Sequence, residues 1–350
     1  MATIVLTGGG SAGHCTPHLA ILPHIKEHFN KIFYIGSENG IERNIIEKEN
    51  IPYYAIPCAK LVRKFTLNNL KIPFKVLAGI KESGRILDKI KPDVIFSKGG
   101  YVSVPTIIAG HKRNIPIISH ESDYTIGLAN KISAKYCKKV LTTFPDTAKE
   151  LKNAVYVGAP IRNEIFNVTK KEGYKYFNLS GNKPVLLVLG GSQGSKIIND
   201  CLKDCLPDLL PKFDVIHLCG KNNAFEYNKK GFFQAEYISK IEYAFAIADV
   251  CISRAGSNSV FELLSKKIPT VLIPLPKGIS RGDQELNALY FERLGLVSVL
   301  PQNSLTKQSL YTYITGCYSN RFNIIRQLEN YPILDQSKSI CKVLVDYIEK

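Results

Sequence analysis

Short apolar, β-branched runs alternate with segments of helical period along the whole chain. The runs predict strands at 3–7, 32–36, 52–56, 93–97, 115–119, 139–143, 185–190, 213–219, 249–253 and 269–274. Helical patterns fill the gaps, for example at 195–209, 257–265, 283–294 and 337–349. Such an alternation is typical of parallel sheets covered by helices on both faces. The pattern therefore predicts an α/β protein built from Rossmann-like, doubly wound sheets.

The length of the chain predicts two such domains. A single hydrophobic core stops growing at roughly 250–300 residues, and this chain has 350. A strand-like segment at 155–157 ends at the turn 158–162, which predicts the hinge. We expect a first domain at 1–161, joined by a C-terminal helix at 335–350, and a second domain at 162–334. Facing each other across a cleft, they would bind ligands at the carboxyl ends of their strands.

The composition is that of an ordinary globular enzyme, with 45% hydrophobic and 22% charged residues. No apolar stretch approaches the roughly 18 residues of a membrane-spanning helix. The first residues lead straight into a strand rather than a signal peptide, so we expect the protein to stay in the cytoplasm. Its nine cysteines have no metal-binding spacing and are expected to be buried, reduced thiols.

The net positive charge indicates an anionic partner, because the chain has 46 basic residues and 30 acidic ones. The acid-free segment 60–81 interleaves apolar residues with six basic ones: Lys60, Arg63, Lys64, Lys71, Lys75 and Lys81. A second acid-free segment, 131–139, carries Lys135 and Lys138. This pattern favours contact with an anionic membrane surface, the alternative being a solvated helix face. Nucleic acid is not expected, since no recognition module accompanies the charge.

Two glycine-rich turns each follow a predicted strand and open a predicted helix, at 8–13 and at 190–194. Glycines let the backbone approach a ligand, and a helix N-terminus offers unpaired N–H groups and partial positive charge to a phosphate. The first turn has neither the dinucleotide-binding spacing nor the lysine of a P-loop. A third turn of this kind lies at 253–257. Together they predict a site for a nucleotide diphosphate that needs no metal.

Two side chains beside these turns are candidates for chemistry. His14 follows the first turn and precedes Pro17, which suits the first turn of a helix. A histidine there can act as a general base, although one that only caps or packs is the alternative. Glu262 falls early in the helix after the third turn, where its carboxylate could accept both hydroxyls of a ribose. A surface glutamate is the alternative.

Six motifs occur together and in order over almost the whole chain. They are Gly9-Gly10-Ser11-Ala12-Gly13-His14, Gly99-Gly100-Tyr101-Val102-Ser103, His120-Glu121, Gly190-Gly191-Ser192-Gln193-Gly194, Arg254-Ala255-Gly256 through Glu262, and Asp283-Gln284 before Asn287-Ala288. In this combination the chain resembles the MurG family of glycosyltransferases. These enzymes transfer N-acetylglucosamine from its UDP conjugate to the undecaprenyl-diphosphate-linked muramoyl-pentapeptide of peptidoglycan synthesis.

The resemblance implies a GT-B enzyme that inverts the anomeric carbon, uses neither metal nor cofactor, and works at the cytoplasmic face of the cell membrane. Ile238 would present its backbone to uracil, Glu262 would hold the ribose, and Ser192 and Gln193 would line the diphosphate. The implied contacts to UDP-N-acetylglucosamine are Ser11, Ala12, Gly13, Arg162, Ser192, Gln193, Ile238, Glu262, Asp283 and Gln284. Thr16, His14 and Tyr101 match acceptor-side positions. His14 is the first candidate base, with Glu121 or Asp123 as alternatives.

Two positions depart from the family pattern. The family commonly has Glu-Gln-Asn after the histidine at 120, whereas here Glu121 is followed by Ser122 and Asp123. Asp283 stands where relatives often carry glutamine or histidine. Two other functions remain alternatives: a glycosyltransferase for another lipid, such as diacylglycerol, and a non-catalytic sugar-nucleotide-binding protein. The acceptor-side motifs and an intact His14 weigh against both.

Overall fold

The computed structural model describes residues 2–59, 72–191, 193–278 and 280–348. The chain forms two compact units. The first comprises the chain up to Arg162 and again from Asp335 onwards, and the second comprises Asn163–Leu334.

The sheet of the first unit has seven strands within the described residues, and all of its pairs are parallel. The strands are β1 (Thr3–Thr7), β2 (Lys31–Ser37), β3 (Tyr53–Ile56), β4 (Val94–Ser97), β5 (Ile117–Glu121), β6 (Lys139–Thr142) and β7 (Ala154–Tyr156). Their order across the sheet is β3-β2-β1-β4-β5-β6-β7. The order reverses between β1 and β4, and ligands of such sheets bind at the carboxyl ends of the strands flanking that point.

Helices cover both faces of this sheet. They are α1 (Thr16–His28), α2 (Ile41–Glu47), α3 (Ile72–Ile90), α4 (Ser103–His111), α5 (Leu128–Ser133) and, from the end of the chain, α13 (Ser337–Val345). The last helix packs against α1 and adds Ile340 and Leu344 to the core around Ile21 and Ile25. The C-terminal segment is thus part of the first unit because its apolar face is buried there.

The second unit repeats the design with six parallel strands in the described residues. They are β8 (Val185–Leu189), β9 (Asp214–Leu218), β10 (Phe232–Ala235), β11 (Ala248–Ser253), β12 (Thr270–Leu272) and β13 (Ser298–Val299). The helices are α6 (Lys170–Phe177), α7 (Lys196–Leu209), α8 (Ile241–Ile247), α9 (Ser257–Ser265), α10 (Asp283–Arg293), α11 (Lys307–Ser319) and α12 (Arg321–Asn330). The strand order β10-β9-β8-β11-β12-β13 reverses between β8 and β11.

The predicted fold class, with two doubly wound Rossmann-like domains, is confirmed. All ten predicted strands lie within two residues of their observed bounds. The prediction at 115–119 was two residues early, because β5 continues through the buried polar residues His120 and Glu121. The pattern missed β10 and β13, which are short strands at the two edges of the second sheet.

Candidate active site

The first glycine turn connects β1 to α1. Gly10 has φ +85°, a left-handed conformation that favours glycine. A short 3-10 turn, Ala12–His14, follows, and α1 then begins at Thr16 with Pro17 in its first turn, as predicted. The Tyr34 hydroxyl donates to the Gly8 carbonyl oxygen over 2.8 Å. The turn is therefore fixed by its own backbone and by the neighbouring strand β2.

A buried carboxylate, which the sequence analysis missed, holds this turn. Glu42 is fully buried in the first turn of α2. One carboxylate oxygen accepts the Gly10 N–H over 3.3 Å, and the other accepts the Ser37 N–H over 3.1 Å and the Ser37 hydroxyl. The sequence does carry a signal for the burial of Glu42, namely its spacing from Ile46. Residues four apart lie on the same face of a helix, and both of these residues are buried in α2. Glu42 thus joins the ends of β1 and β2.

The second loop, after β4, packs directly on the first. Gly100 has φ +79°, and a Cβ on it would lie 2.2 Å from the Gly9 carbonyl oxygen. A Cβ on Gly10 would lie 2.5 Å from the Tyr101 ring. Glycine is therefore required at both positions. The contact brings Tyr101 and His14, two of the predicted acceptor-side residues, to the same edge of the sheet.

His14 lies half-buried beside these loops, and its Nδ1 is 2.8 Å from the Ser11 hydroxyl. Thr16 begins α1 two residues later. The ring is thus oriented by a residue of the glycine turn itself. A general base needs a partner that holds its ring, and the Ser11 hydroxyl, which can donate to Nδ1 or accept from it, is such a partner.

The end of β5 carries Glu121, whose carboxylate accepts hydrogen bonds from the residues that follow it. One oxygen accepts the Asp123 N–H over 3.1 Å. The other accepts the Gly127 N–H over 2.8 Å and the Asn130 side-chain amide over 2.9 Å. Glu121 is 5% exposed. These contacts shape the turn that presents Ser122 and Asp123, which are both partly exposed.

In the second unit, the glycine turn after β8 is held against the end of β9. Gly194 has φ +73°, and a Cβ on it would lie 2.1 Å from the Cys219 carbonyl oxygen. Asn199, buried in the first turns of α7, donates to the same oxygen over 2.9 Å. Gln193 is exposed at the tip of this turn, whereas Ser192 lies outside the described residues.

The buried guanidinium of Arg254 joins this turn to the loop after β12, which is two strands away in the sheet. Arg254, 9% exposed, donates through one nitrogen to the Ser195 hydroxyl and to the Gln302 side chain, each over 2.7 Å. Its other terminal nitrogen donates to the carbonyl oxygens of Ile273 and Pro274. Burial lowers the pKa of Arg254 from its ordinary value. The residue organises the loops at the carboxyl ends of β8 and β12.

The helices of the second unit fall into two groups, because two are capped by side chains and the others, including α8, α10 and α12, are not. Both α6 and α11 are capped by threonines, Thr169 and Thr306, in complete capping boxes. No side chain caps the N-terminus of α7 or of α9, which starts after Gly256. Uncapped helix N-termini beside glycine turns offer N–H donors to an anion.

The remaining predicted donor contacts lie at several places in the two units. Glu262 is partly exposed in the second turn of α9. Ile238 is buried in the segment between β10 and α8. Asp283 begins α10 and pairs with Arg281 over 3.2 Å, while the Gln284 side-chain oxygen accepts the Leu275 N–H over 3.0 Å. Arg162 is the last residue of the first unit before the chain crosses to the second.

Two family models cover most of the chain. Residues 4–142 match the N-terminal domain of glycosyltransferase family 28, and residues 185–340 match its C-terminal domain. The chain belongs to glycosyltransferase family 28. It is therefore an enzyme that transfers a sugar, and the prediction of a glycosyltransferase is confirmed.

Two clostridial proteins resemble this chain over more than nine tenths of their length. A protein of Clostridium botulinum (strain Alaska E43 / Type E3) is 47% identical over 99% of this chain and 98% of its own. One of Clostridium perfringens (strain SM101 / Type A) is 48% identical over 93% of each chain. Both are named UDP-N-acetylglucosamine--N-acetylmuramyl-(pentapeptide) pyrophosphoryl-undecaprenol N-acetylglucosamine transferase. These names do not favour the alternative of a diacylglycerol acceptor.

Solved structures share the fold. MurG of Acinetobacter baumannii aligns with a TM-score of 0.75 at 21% identity, covering 98% of this chain and 99% of its own. UDP-GlcNAc 2-epimerase of Neisseria meningitidis, solved with UDP-GlcNAc bound, aligns with a TM-score of 0.68 at 12% identity and covers 99% of both chains. At these identities the likeness extends to the fold, which is the predicted GT-B type.

Proposed function

We propose that this protein transfers N-acetylglucosamine from UDP-N-acetylglucosamine to the undecaprenyl-diphosphate-linked muramoyl-pentapeptide, converting lipid I to lipid II in peptidoglycan synthesis. The observation that carries the proposal is the 47% identity, over 99% of the chain, to a protein named for this reaction. The motifs on which the family resemblance rests lie at the carboxyl edges of both sheets, where α/β proteins bind their ligands.

The second unit is proposed to hold the donor. Its uncapped helices α7 and α9 would direct N–H groups at the diphosphate, with Ser192 and Gln193 at the glycine turn. Glu262 on α9 would accept both ribose hydroxyls, and the backbone of Ile238 would pair with uracil.

The N-acetylglucosamine and phosphate contacts complete the donor site in this proposal. Asp283 and Gln284 would bind sugar hydroxyls from the start of α10. The Gln284 oxygen already accepts the Leu275 N–H, so its amide nitrogen is the group suited to donate. Ser11, Ala12, Gly13 and Arg162 of the first unit would contribute further contacts to UDP-N-acetylglucosamine.

The first unit is proposed to hold the acceptor and the base. A hydroxyl of the muramoyl sugar attacks the anomeric carbon opposite UDP, so the configuration inverts and one base suffices. When His14 Nδ1–H donates to the Ser11 hydroxyl, Nε2 keeps the lone pair that receives the proton. Glu121 positions its loop in this scheme, because both of its oxygens already accept hydrogen bonds. Asp123 remains the alternative base.

Departure of UDP without a metal is part of the same proposal. Negative charge grows on the diphosphate as the glycosidic bond breaks, and prearranged N–H donors stabilise it without reorganising. The N-termini of α7 and α9 supply such donors in this proposal.

The first unit is also proposed to touch an anionic membrane at the cytoplasmic face, where the lipid tail of the acceptor resides. It contains 26 Lys and Arg against 15 Asp and Glu, whereas the second unit contains 20 against 15.

Exposed apolar side chains accompany the charge: Phe74 and Leu77 on α3, and Leu128 and Ile132 on α5. Both helices pack against α4. Lys60, Arg63, Lys64 and Lys71 lie outside the described residues. Among the described residues, no helix is long and apolar enough to cross a membrane.

A single assay tests the proposal. Purified protein is incubated with radiolabelled UDP-N-acetylglucosamine and the lipid-linked acceptor, in excess EDTA and separately with magnesium. We expect label in the lipid product at similar rates under both conditions. Transfer to diacylglycerol instead, or no transfer at all, would contradict the proposed acceptor, and activity that appears only with magnesium would contradict the metal-free mechanism.

A further inference from the structure

A buried lysine lies between the two loops of the first unit that carry the acceptor-side motifs. Lys98 directly follows β4, and its backbone N–H donates to the carbonyl oxygen of Thr7 at the end of β1 over 3.0 Å. The residue is 2% exposed. Its ammonium contacts His120 Nδ1 and donates to the Ser122 hydroxyl over 2.8 Å. No carboxylate lies within ion-pair distance of this group in the described part of the chain.

The hydrogen bonds fix the protonation of His120. Its Nε2 lies 3.1 Å from the Gly158 carbonyl oxygen, which can only accept, so Nε2 carries the proton. Nδ1 is then an acceptor, and Lys98 is its donor. Burial and the charge of Lys98 lower the pKa of His120 well below the ordinary range, in agreement with a neutral ring.

The charge on Lys98 is itself sensitive to pH. Burial lowers the pKa of Lys98 to about 7, against the opposing effect of the Glu121 and Asp123 carboxylates. The titratable groups that face it are His120, Glu121 and Asp123 from β5 and the turn after it, and His18 from α1. Burial, and then the charge of Lys98, lower the pKa of His18 to about 3, so both imidazoles stay neutral. Lys98 is therefore the group of this cluster that changes its charge near neutral pH.

We propose that the Lys98 ammonium is a positioning residue for transfer, which holds the Ser122–Asp123 turn in its working geometry through charge-assisted hydrogen bonds that weaken when it loses its proton. Glu121 fixes this turn through its backbone N–H groups, and Lys98 fixes it through the Ser122 hydroxyl. The inference rests on the proposed function, because the turn matters for activity only if it borders the acceptor. Activity should then fall on the alkaline side as Lys98 deprotonates.

The test compares the pH profiles of kcat and KM for wild type, Lys98→Met and the control Lys89→Met, which replaces an exposed lysine on α3. A soluble acceptor analogue is used. We expect Lys98→Met to lower kcat about tenfold or more, as small misplacements of reacting groups do, and to leave the donor KM unchanged. We also expect this variant to lose the fall in activity at alkaline pH, the alkaline limb, that wild type and the control retain. Retained kcat, or an unchanged alkaline limb in Lys98→Met, overturns the proposal.

A second variant covers the case in which Lys98→Met does not fold. Ser122→Ala removes one acceptor from the ammonium while keeping its charge. We expect a lower kcat, and an alkaline limb displaced to lower pH, because the protonated amine has lost a stabilising hydrogen bond. A limb that stays in place with unchanged kcat overturns the proposal. If wild type transfers no sugar at all, the proposed function fails and this proposal fails with it, whereas an active wild type with unaffected variants refutes the role of Lys98 alone.

Discussion

At the residue scale, the proposed chemistry depends on side chains whose neighbours already orient them. His14 is held by Ser11 from its own glycine turn. Glu262 stands in the second turn of α9, on the helix that begins after Gly256. The two belong to different units, so their substitutions should have separable effects on the two substrates.

Replacing His14 with alanine should lower kcat by about 10²–10⁴-fold, the usual contribution of a general base. Affinity for UDP should stay close to that of wild type, because the proposed uridine contacts lie in the second unit. Steady-state kinetics and calorimetry measure the two effects. His28→Ala, an exposed histidine at the end of α1, is the control. A kcat within a few-fold of wild type would move the role of base to Asp123.

Replacing Glu262 with alanine should weaken binding of UDP-N-acetylglucosamine by roughly 1.5–3 kcal/mol for each charge-assisted hydrogen bond lost. Binding of the acceptor should change little. Calorimetry with the donor measures the loss, and Glu164→Ala, at an exposed position of the same unit, is the matched control. Equal donor affinity in both variants would remove Glu262 from the site.

At the element scale, the loops that follow the strands are held by a few long-range contacts. Glu42 joins the glycine turn after β1 to the end of β2, and Arg254 joins the turn after β8 to the end of β12. Glycines with positive φ allow these loops to lie backbone against backbone, as Gly100 does against Gly9. The site therefore depends on elements being locked together as well as on the residues that would touch substrate.

Replacing Glu42 with alanine should reduce the free energy of unfolding by about 2 kcal/mol or more, since each buried donor left unpaired costs about 1–3 kcal/mol. The donors affected are the Gly10 and Ser37 N–H groups. Urea unfolding followed by circular dichroism measures the loss. Glu47→Ala, which removes an exposed ion pair with Arg43 on the same helix, should leave the midpoint nearly unchanged. Similar midpoints for both variants would show that Glu42 does not hold the turn.

At the scale of the whole molecule, the excess of positive charge belongs mainly to the first unit. A net positive charge on one unit attracts that unit to an anionic surface, and added salt weakens this attraction. The exposed apolar residues of α3 and α5 lie in the same unit, which gives a membrane both charge and apolar contact.

Replacing Phe74 and Leu77 with serine and Lys75 with glutamine should reduce binding to anionic vesicles, since each basic residue near such a surface contributes about 1 kcal/mol. Transfer to the long-chain lipid acceptor should suffer more than transfer to a soluble analogue. Vesicle co-sedimentation at low and raised salt measures binding. The control replaces Phe322, an exposed phenylalanine of the second unit, with serine. Undiminished vesicle binding by the triple variant would place the membrane contact elsewhere, including the segment 60–71.

Local pattern was enough for the fold class, because central strands such as β1, β4 and β8 are apolar runs buried on both faces and the turns after them contain glycine. The predicted helix 257–265 coincides with α9, and Pro17 lies in the first turn of α1 as expected. Edge strands such as β10 were missed because they are only half-buried and carry a weaker apolar signal. The polar end of β5 was misjudged because His120 is buried against Lys98 and Gly158, which lie 22 and 38 positions away.

The α/β class, the glycine turns, the family and hence the kind of reaction can be read from the amino-acid sequence, since these depend on periodicity and on motifs within a few residues of one another. Which polar side chains hold those turns depends on the folded chain. Glu42 meets Gly10 across 32 positions, Lys98 meets Ser122 across 24, and Arg254 meets Ser195 across 59. Each partner is brought near by strand order, and burial then makes the hydrogen bond obligatory and shifts the pKa values of Lys98 and Arg254.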